Sequence, residues 1–588
     1  MTPGQQPSSE PDLDLLLLGA VALGALLWAG GAASAWLSGH GLPHGNPFAG
    51  LVALAHAGNP SLAWHTPVGP PILYWATTGI AFGIAGLVLW AGWRLWHWDG
   101  TTKTKPARRH EPGAGLATKT EVRAAAGRRA LVAQSKALRP SLARPRPGDL
   151  GYRLGSSHRV ECWASVEDSI LLLGPPRSGK GMNIVVPTIL DAPGAVVTTS
   201  TRPDNLAITL AARSNLGPVA VFDPQGLARI PSQPEGLRWS LLRGCKDPQT
   251  AMLRAQALVP NTARSGVENG SFWRQQALSA TRCLLHAAAL GGRPPADLYR
   301  WSHGAAGAKE AVSILANHPS ATPAWERALD AIISADRRTR DSVWAMVANA
   351  FAPLADPSVL AAVSPEPGRE LDPNVFLTTR GTLYLLGTAT GASATATLVA
   401  ALIEDVVDST RRLAARSAGQ RLDPPLALVL DEAANYPLPS LLSLMSEGGG
   451  SGITTLAALQ SLAQARDQWG PDAAGAIWDS AIVKIVLGGS ANAHDLVDIS
   501  RLIGDTETQE WSETRHGGGA NRSMSSSSRS RPILEPSEIR RLPIGQGLLL
   551  LRAAPPIMMR LRPWTARPDA KELTAARQRW ESSAVDRA

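Results

Sequence analysis

Cysteine is nearly absent. Cys162, Cys245 and Cys283 are the only three in 588 residues. None sits in a CxxC pair or beside histidine at ligand spacing, which argues against both a disulfide framework and a zinc site. They read as small buried hydrophobes. Phe and Tyr are scarce as well, 6 and 5 against 19 Trp, and many of the Trp crowd into the first hundred residues. The first 14 residues hold Glu10, Asp12 and Asp14 but no Lys or Arg. A cleaved signal peptide wants a basic start, so that reading is set aside. What is present is a 44% hydrophobic, 18% charged composition. It excludes a wholly disordered or fibrous chain, and the length suggests about four structural units.

Charge is missing from two long runs, Leu15–Leu37 and Ile72–Trp93 except its flanks. Each is long enough for about 30 Å of hydrocarbon. Trp28, Trp36, Trp64, Trp75, Trp90, Trp93, Trp96 and Trp98 lie within or beside them, and those near the ends resemble an aromatic belt. Gly79 and Gly83 stand at GxxxG spacing, a candidate helix-packing face. The connection Ser38–Pro71 has no fixed charge, whereas residues 94–146 carry thirteen Lys and Arg against Asp99, Glu111 and Glu121. By the positive-inside rule the basic segment is cytoplasmic, and so are both termini. The pI of 9.8 is then mainly a juxtamembrane effect and no argument for a nucleic-acid surface.

From Asp168 onward, short apolar runs alternate with helical stretches. SILLL (169–173), AVVTT (195–199), VAVF (219–222), TLYLL (382–386), LALVL (426–430), residues 453–459, 481–487 and 547–551 read as strands. Such runs suit a parallel sheet covered on both faces, an α/β fold. Residues 244–366 break the rhythm and read as an all-helical insertion. Gly517–Arg531 is low in complexity and predicts a mobile loop. The expected division is 1–14 cytoplasmic, 15–37 first span, 38–71 extracytoplasmic, 72–93 second span, 94–146 basic linker, 147–243 first part of the α/β domain, 244–366 insertion, 367–564 its second part, and 565–588 a polar tail.

Two motifs carry chemistry. Gly174-Pro175-Pro176-Arg177-Ser178-Gly179-Lys180-Gly181 follows a strand and precedes a helix, matching GxxxxGK in its required context. The glycines let the backbone wrap phosphate, N–H groups and a helix N-terminus hold the anion, and Lys180 reaches the β- and γ-phosphates. The usual Ser or Thr ligand for Mg²⁺ is replaced by Gly181. Downstream, LALVL ends in Asp431 and Glu432. Two carboxylates at the end of a buried strand are costly unless used. Asp431 suits the Mg²⁺ shell, and Glu432 suits orienting or deprotonating a water. Gln460 ends the next strand and is a candidate γ-phosphate sensor or, equally, a turn amide. Asp223 reads as a nucleotide contact or, slightly better, a turn cap.

The segments GPPRSGKGMNIVVPTIL (174–190) and LDEAANYPLPSLLSLMSEGGGSGITTLAALQSLAQ (430–464) resemble the phosphate loop and Walker B region of TraG/TraD-type conjugative coupling proteins. STRPDN (200–205), GSFW (270–273), ISRLIGDTE (499–507) and LEPSEIRRLP (534–543) are smaller echoes. The resemblance implies a RecA-like P-loop ATPase with an all-α insertion behind two transmembrane helices, working as a hexamer in a type IV secretion or conjugation system. It implies ATP and Mg²⁺ as cofactors, with Gly174 to Met182 binding nucleotide. Asp431 would bind the metal, and Lys180, Glu432 and Gln460 would be catalytic. The implied partners are DNA without sequence reading, a relaxase or other secreted protein, and channel components. Some members carry a trans-acting Arg where this chain has Glu447–Gly452 without one; Arg466 and Arg501 are candidates. Arg515, Arg522, Arg529 and Arg531 are candidates for DNA contact, as is Trp273 with Arg274, although a core Trp is the plainer reading. Alternatives in kind are an FtsK-like translocase, for which the short tail leaves no DNA-reading domain, a protein-only secretion ATPase, and a non-hydrolysing receptor.

Overall fold

The computed structural model describes residues 13–44, 49–96, 114–228, 236–259, 270–387, 395–515 and 522–585. It forms two compact units, Met1–Arg109 and His110–Ala588.

In the first unit, helices Leu13–Leu37 and Pro71–Trp96 are each long and apolar enough to cross a membrane. They pack through small residues and hydroxyls. Thr77 Oγ1 donates to Gly30 O at 2.8 Å, and a Cβ on Gly30 would lie 2.2 Å from Thr78 Oγ1. The close approach therefore rests on Gly30. Gly79 and Gly83 have nothing within 4 Å and lie off this seam. Short helices Ala49–Ala55 and Ser61–Trp64 cap one end, with Trp64 fully buried and Ser34 Oγ donating to Val68 O at 2.6 Å.

The second unit is built on thirteen strands: β1 (Gly151–Ser157), β2 (Val160–Ser165), β3 (Ile170–Leu173), β4 (Val196–Ser200), β5 (Val219–Phe222), β6 (Thr382–Leu386), β7 (Leu426–Leu430), β8 (Ile453–Leu459), β9 (Val483–Leu487), β10 (Asp505–Arg515), β11 (Arg522–Pro532), β12 (Gln546–Leu551) and β13 (Ile557–Leu561). Eleven form one sheet in the order β2-β1-β13-β12-β9-β3-β8-β7-β4-β6-β5. The run from β9 to β5 is parallel, and β12, β13, β1 and β2 continue it antiparallel. The parallel strands are buried on both faces, as their unbroken apolar runs require. Leu171, Leu173, Val197, Leu428, Leu430 and Leu459 enter one core, shared with the helical insertion. Ile170, Leu172, Val196, Val429 and Ala458 enter the other, under Ile184, Val185 and Ile189.

Between β5 and β6 the described residues hold helices and no strand, from Pro248–Leu258 to Pro373–Thr378. Arg254 joins this layer to the core: it pairs with Asp405 at 2.9 Å and stacks over Trp239, whose Nε1 donates to the same carboxylate. The three cysteines are buried and unpaired.

Sequence patterning misses four strands, β1, β2, β10 and β13, and takes a fifth, β11, for a loop. β1 and β2 are joined by His158–Arg159, both at positive φ (48° and 64°). That is the backbone of a tight two-residue hairpin, but made without the Asn-Gly signal that announces one. β13 is likewise unanticipated. Gly517–Arg531, expected as a mobile loop, is largely β11, paired with β10 in continuous antiparallel register from Asp505↔Pro532 to Arg515↔Arg522. Low complexity denies that stretch a core, but a two-stranded ribbon needs only main-chain pairing. Residues 516–521 lie outside the described residues.

Arg213 is fully buried without a carboxylate. It donates to Thr382 Oγ1 at 2.8 Å, Ala192 O at 2.9 Å and Gly194 O at 2.8 Å, stapling the entries to β4 and β6. Arg213→Leu strands these acceptors and is expected to destabilise the protein by about 3 kcal/mol. A lowered unfolding midpoint of the detergent-solubilised protein checks this; an unchanged midpoint contradicts it.

Candidate nucleotide site

β3 ends at Leu173, and its main chain enters a loop fixed to the neighbouring strand: Gly174 N donates to Leu459 O at 3.0 Å. Arg177 and Gly179 both take positive φ, 63° and 86°. Such alternation turns successive N–H groups inward into an anion-binding concavity. Two glycines leave room for side chains of the loop and its helix, and at Gly179 the positive φ itself favours glycine. A Cβ on Gly174 would lie 2.6 Å from Ser178 Oγ, and one on Gly179 would lie 2.6 Å from Asn183 Nδ2, which donates to Gly179 O at 2.9 Å. After Lys180 the chain makes a π turn, Gly181–Val185, and runs into helix Val186–Asp191. Pro175 is half-buried, while Pro176, Arg177 and Met182 are exposed. Among the described residues Ser178 Oγ and Asn183 Oδ1 are buried with no protein partner, which suits a polar guest at the loop.

β7 lies one strand from β3, with β8 between them. Asp431 and Glu432 follow β7 directly, so the C-terminal ends of three adjacent strands bring together the loop, Gln460 and both carboxylates. Thr199 Oγ1 donates to Asp431 O at 2.9 Å, and Asn205 Nδ2 stands 3.5 Å from Asp431 Oδ2. Glu432 takes a left-handed conformation, φ 53°. Its Oε2 accepts from Thr201 Oγ1 at 2.8 Å and from Asn435 Nδ2 at 3.0 Å. Gln460 is half-buried, its N–H donating to Gln464 Oε1 at 3.3 Å.

Burial pushes the Asp431 carboxyl above its usual range; Lys180 opposes the shift and the neighbouring Glu432 adds to it. Burial likewise lowers Lys180, against the attraction of Asp431 and Glu432. Lysine and carboxylates therefore share one desolvated electrostatic site, although more than 250 residues separate them. Charges held this way interact more strongly than in water.

The remaining candidates lie elsewhere. Asp223 caps a turn, accepting from Leu227 N at 2.9 Å and Ala228 N at 2.6 Å. Arg466 is held by Asp495 at 2.7 Å, whereas Arg501 is exposed on the last turn of helix Ala493–Ile503. The segment matching Glu447–Gly452 packs too closely for a long side chain at two positions: a Cβ on Gly449 would lie 2.1 Å from Glu167 O, and one on Gly452 2.5 Å from Leu422 O. Trp273 packs partly buried against the core, and burial lowers Arg274 beside it in sequence. Arg531 pairs with Glu535 at 3.3 Å, while the side chains of Arg515, Arg522 and Arg529 lie outside the described ones. The residues that sequence reading passed over are Thr201, Asn205 and Asn435. Two sit in the STRPDN stretch and one in DEAAN, both noted as motifs without a role for these side chains.

A glycine loop and lysine after one parallel strand, with an acidic pair after the strand next but one, define a RecA-like P-loop ATPase fold. Comparison with known proteins narrows this. Residues 121–282 match the family model for type IV secretory system conjugative DNA transfer, and residues 425–544 match that for the TraM recognition site of TraD and TraG. These two stretches, which hold the phosphate loop and the acidic pair, are similar to conjugative coupling proteins of the TraG/TraD type. Among solved structures it is similar to the bacterial conjugative coupling protein TrwBdeltaN70 in its unbound monoclinic form. That match has 17% identity and a TM-score of 0.51, covering 70% of this chain and 88% of the other. It is also similar to plasmid coupling protein TrwB with the ATP analogue ADPNP (16%, TM-score 0.52, 79% and 96% covered). A third similar structure is TrwB with ADP and Mg²⁺ (16%, TM-score 0.50, 76% and 93% covered). No curated protein matches the chain.

Proposed function

We propose that the protein is a membrane-anchored ATPase that couples ATP hydrolysis to delivery of relaxase-bound DNA into a conjugative type IV secretion channel. The observation that carries this reading is the meeting of Lys180 with Asp431 and Glu432 at the mouth of the glycine loop, in a chain with two apolar helices ahead of it. The loop N–H groups and Lys180 hold the triphosphate, and the partnerless Ser178 and Asn183 oxygens suit a polar guest. Asp431 holds Mg²⁺, which on binding neutralises charge on the phosphates. Glu432 is gripped at Oε2 among the described residues, which keeps Oε1 for the attacking water, and Gln460 lies beside the same edge. Both termini are cytoplasmic, and the basic stretch after the second span meets anionic lipid. The helical insertion receives the cargo, and a homohexamer encloses a channel in which DNA is held through its backbone.

Gly181 supplies no hydroxyl to the metal, yet nothing lies within 4 Å of where its Cβ would be. The space admits water in that role. It also admits a side chain, so Gly181→Ser is expected to fold and to lower the Mg²⁺ concentration for half-maximal hydrolysis. A Mg²⁺ titration of both proteins checks this; identical curves contradict it.

In the host, deleting the gene is expected to abolish conjugative DNA transfer. Wild type restores it and Lys180→Ala does not. Transfer restored equally by both would remove the coupling role.

A further inference from the structure

The polar C-terminal tail folds back onto the nucleotide site's supports. Trp564 and Leu573 are buried in one cluster with Val186 and Ile208. Trp580 packs against a second cluster that contains Leu206. Arg567 forms an ion pair with Asp191, the last residue of the helix that follows the phosphate loop, and a second with Asp569 at 2.9 Å. Ile208 and Leu206 belong to helix Asp204–Ser214. The residues just before and at the start of that helix are Thr201 and Asn205, which reach Glu432 and Asp431. One segment thus packs against both the helix after the phosphate loop and the helix that carries Asn205 and follows Thr201.

We infer that Thr201 is a positioning residue for Glu432, and that helix Ala570–Val585 sets Thr201's place, making the tail a determinant of turnover at the nucleotide site. The inference rests on the ATPase reading above. The physical reason is the backbone of Glu432. A left-handed non-glycine residue has no intrinsic preference for this conformation, so its carboxylate direction is imposed from outside. Two donors impose it, and both choose the same oxygen. Asn435 is local, three residues along the same turn. Thr201 belongs to another strand connection, the short one that leads from β4 into helix Asp204–Ser214. That helix presents Leu206 and Ile208 to the tail, so displacement of the tail displaces the hydroxyl. The tail's Trp564–Ala566 also approaches the Gly181–Val185 turn, whereas the Thr201 hydroxyl is spent on Glu432, and the expected effect of losing that hydroxyl is therefore on turnover and not on nucleotide affinity.

The test is steady-state ATP hydrolysis by the full-length protein in lipid nanodiscs. Thr201→Val is expected to lower kcat about 10- to 100-fold, the worth of a hydrogen bond to a charged group, with KM for ATP unchanged. Thr201→Ser keeps the donor and restores the rate. Trp580→Ala lowers kcat in the same direction, and the double variant Thr201→Val/Trp580→Ala is no slower than Thr201→Val alone, because both act through one contact. Arg577→Ala, on the exposed side of the tail helix, leaves the rate unchanged. An unchanged kcat in Thr201→Val overturns the role of Thr201. Equal slowing by Thr201→Ser also overturns it, as a packing effect. Fully additive losses in the double variant overturn the link to the tail. Absence of hydrolysis by the wild type overturns the ATPase reading itself, and this inference with it.

Discussion

Glu432→Gln is expected to lower kcat by about 10²- to 10⁴-fold while leaving nucleotide bound. At 1.36 kcal/mol per decade this is about 3–5 kcal/mol of transition-state stabilisation. The size follows from what the substitution removes. Gln keeps the shape, and its amide oxygen can still accept from Thr201 Oγ1 and Asn435 Nδ2, so the left-handed turn after β7 keeps its partners. What disappears is the negative charge and the lone pair that takes a proton from water. Lys180 and the loop N–H groups are untouched, so affinity for ATP is retained and the protein accumulates with nucleotide in place. Single-turnover hydrolysis alongside a binding titration separates the two quantities. Loss of binding together with turnover would mean that Glu432 holds the fold or the ligand and not the water.

Lys180→Ala acts on the other half of the site, and its signature is different. Removing a desolvated cation from phosphate contact costs on the order of 2–5 kcal/mol, about 30- to several-thousand-fold in affinity. The loss has a second part. Lys180 is the group that draws Asp431 down against burial. Without it Asp431 rises further from the usual carboxylate range, so the carboxylate that would hold Mg²⁺ is protonated at higher pH than in the wild type. Whatever activity remains is therefore expected to fall off at higher pH on the acid side than in the wild type. The sign is fixed: a carboxyl whose pKa rises stays protonated to higher pH. A pH–rate profile of the variant checks it, and an acid limb that shifts downward would contradict the placement of Lys180 beside Asp431.

Legibility in the sequence follows the kind of constraint at each place. The phosphate loop is readable because its conformation demands glycine. Gly179 takes a positive φ and Gly174 sits against the Ser178 side chain, and that demand appears as a letter in the chain. Asp431 and Glu432 are readable because acids at the end of LALVL are too costly to be incidental. The parallel strands are readable because burial on both faces leaves no polar alternation. Thr201 and Asn205 are not readable in this way. Their partners lie more than 220 residues away, and nothing local distinguishes a threonine that holds a catalytic carboxylate from one that ends a strand. The hairpin at His158–Arg159 escapes because its residues are unusual for its backbone. The tail escapes because its packing rests on a few apolar side chains, Trp564, Leu573 and Trp580, in a segment otherwise polar. Composition averages over such anchors, whereas the fold depends on each.

The most direct measurement is ATP hydrolysis by the full-length protein in lipid nanodiscs, with and without single- and double-stranded DNA, beside Lys180→Ala and Glu432→Gln. A DNA-coupled motor gives hydrolysis that DNA stimulates and both substitutions abolish. Nucleotide binding without turnover in the wild type, or turnover indifferent to both substitutions, would contradict it.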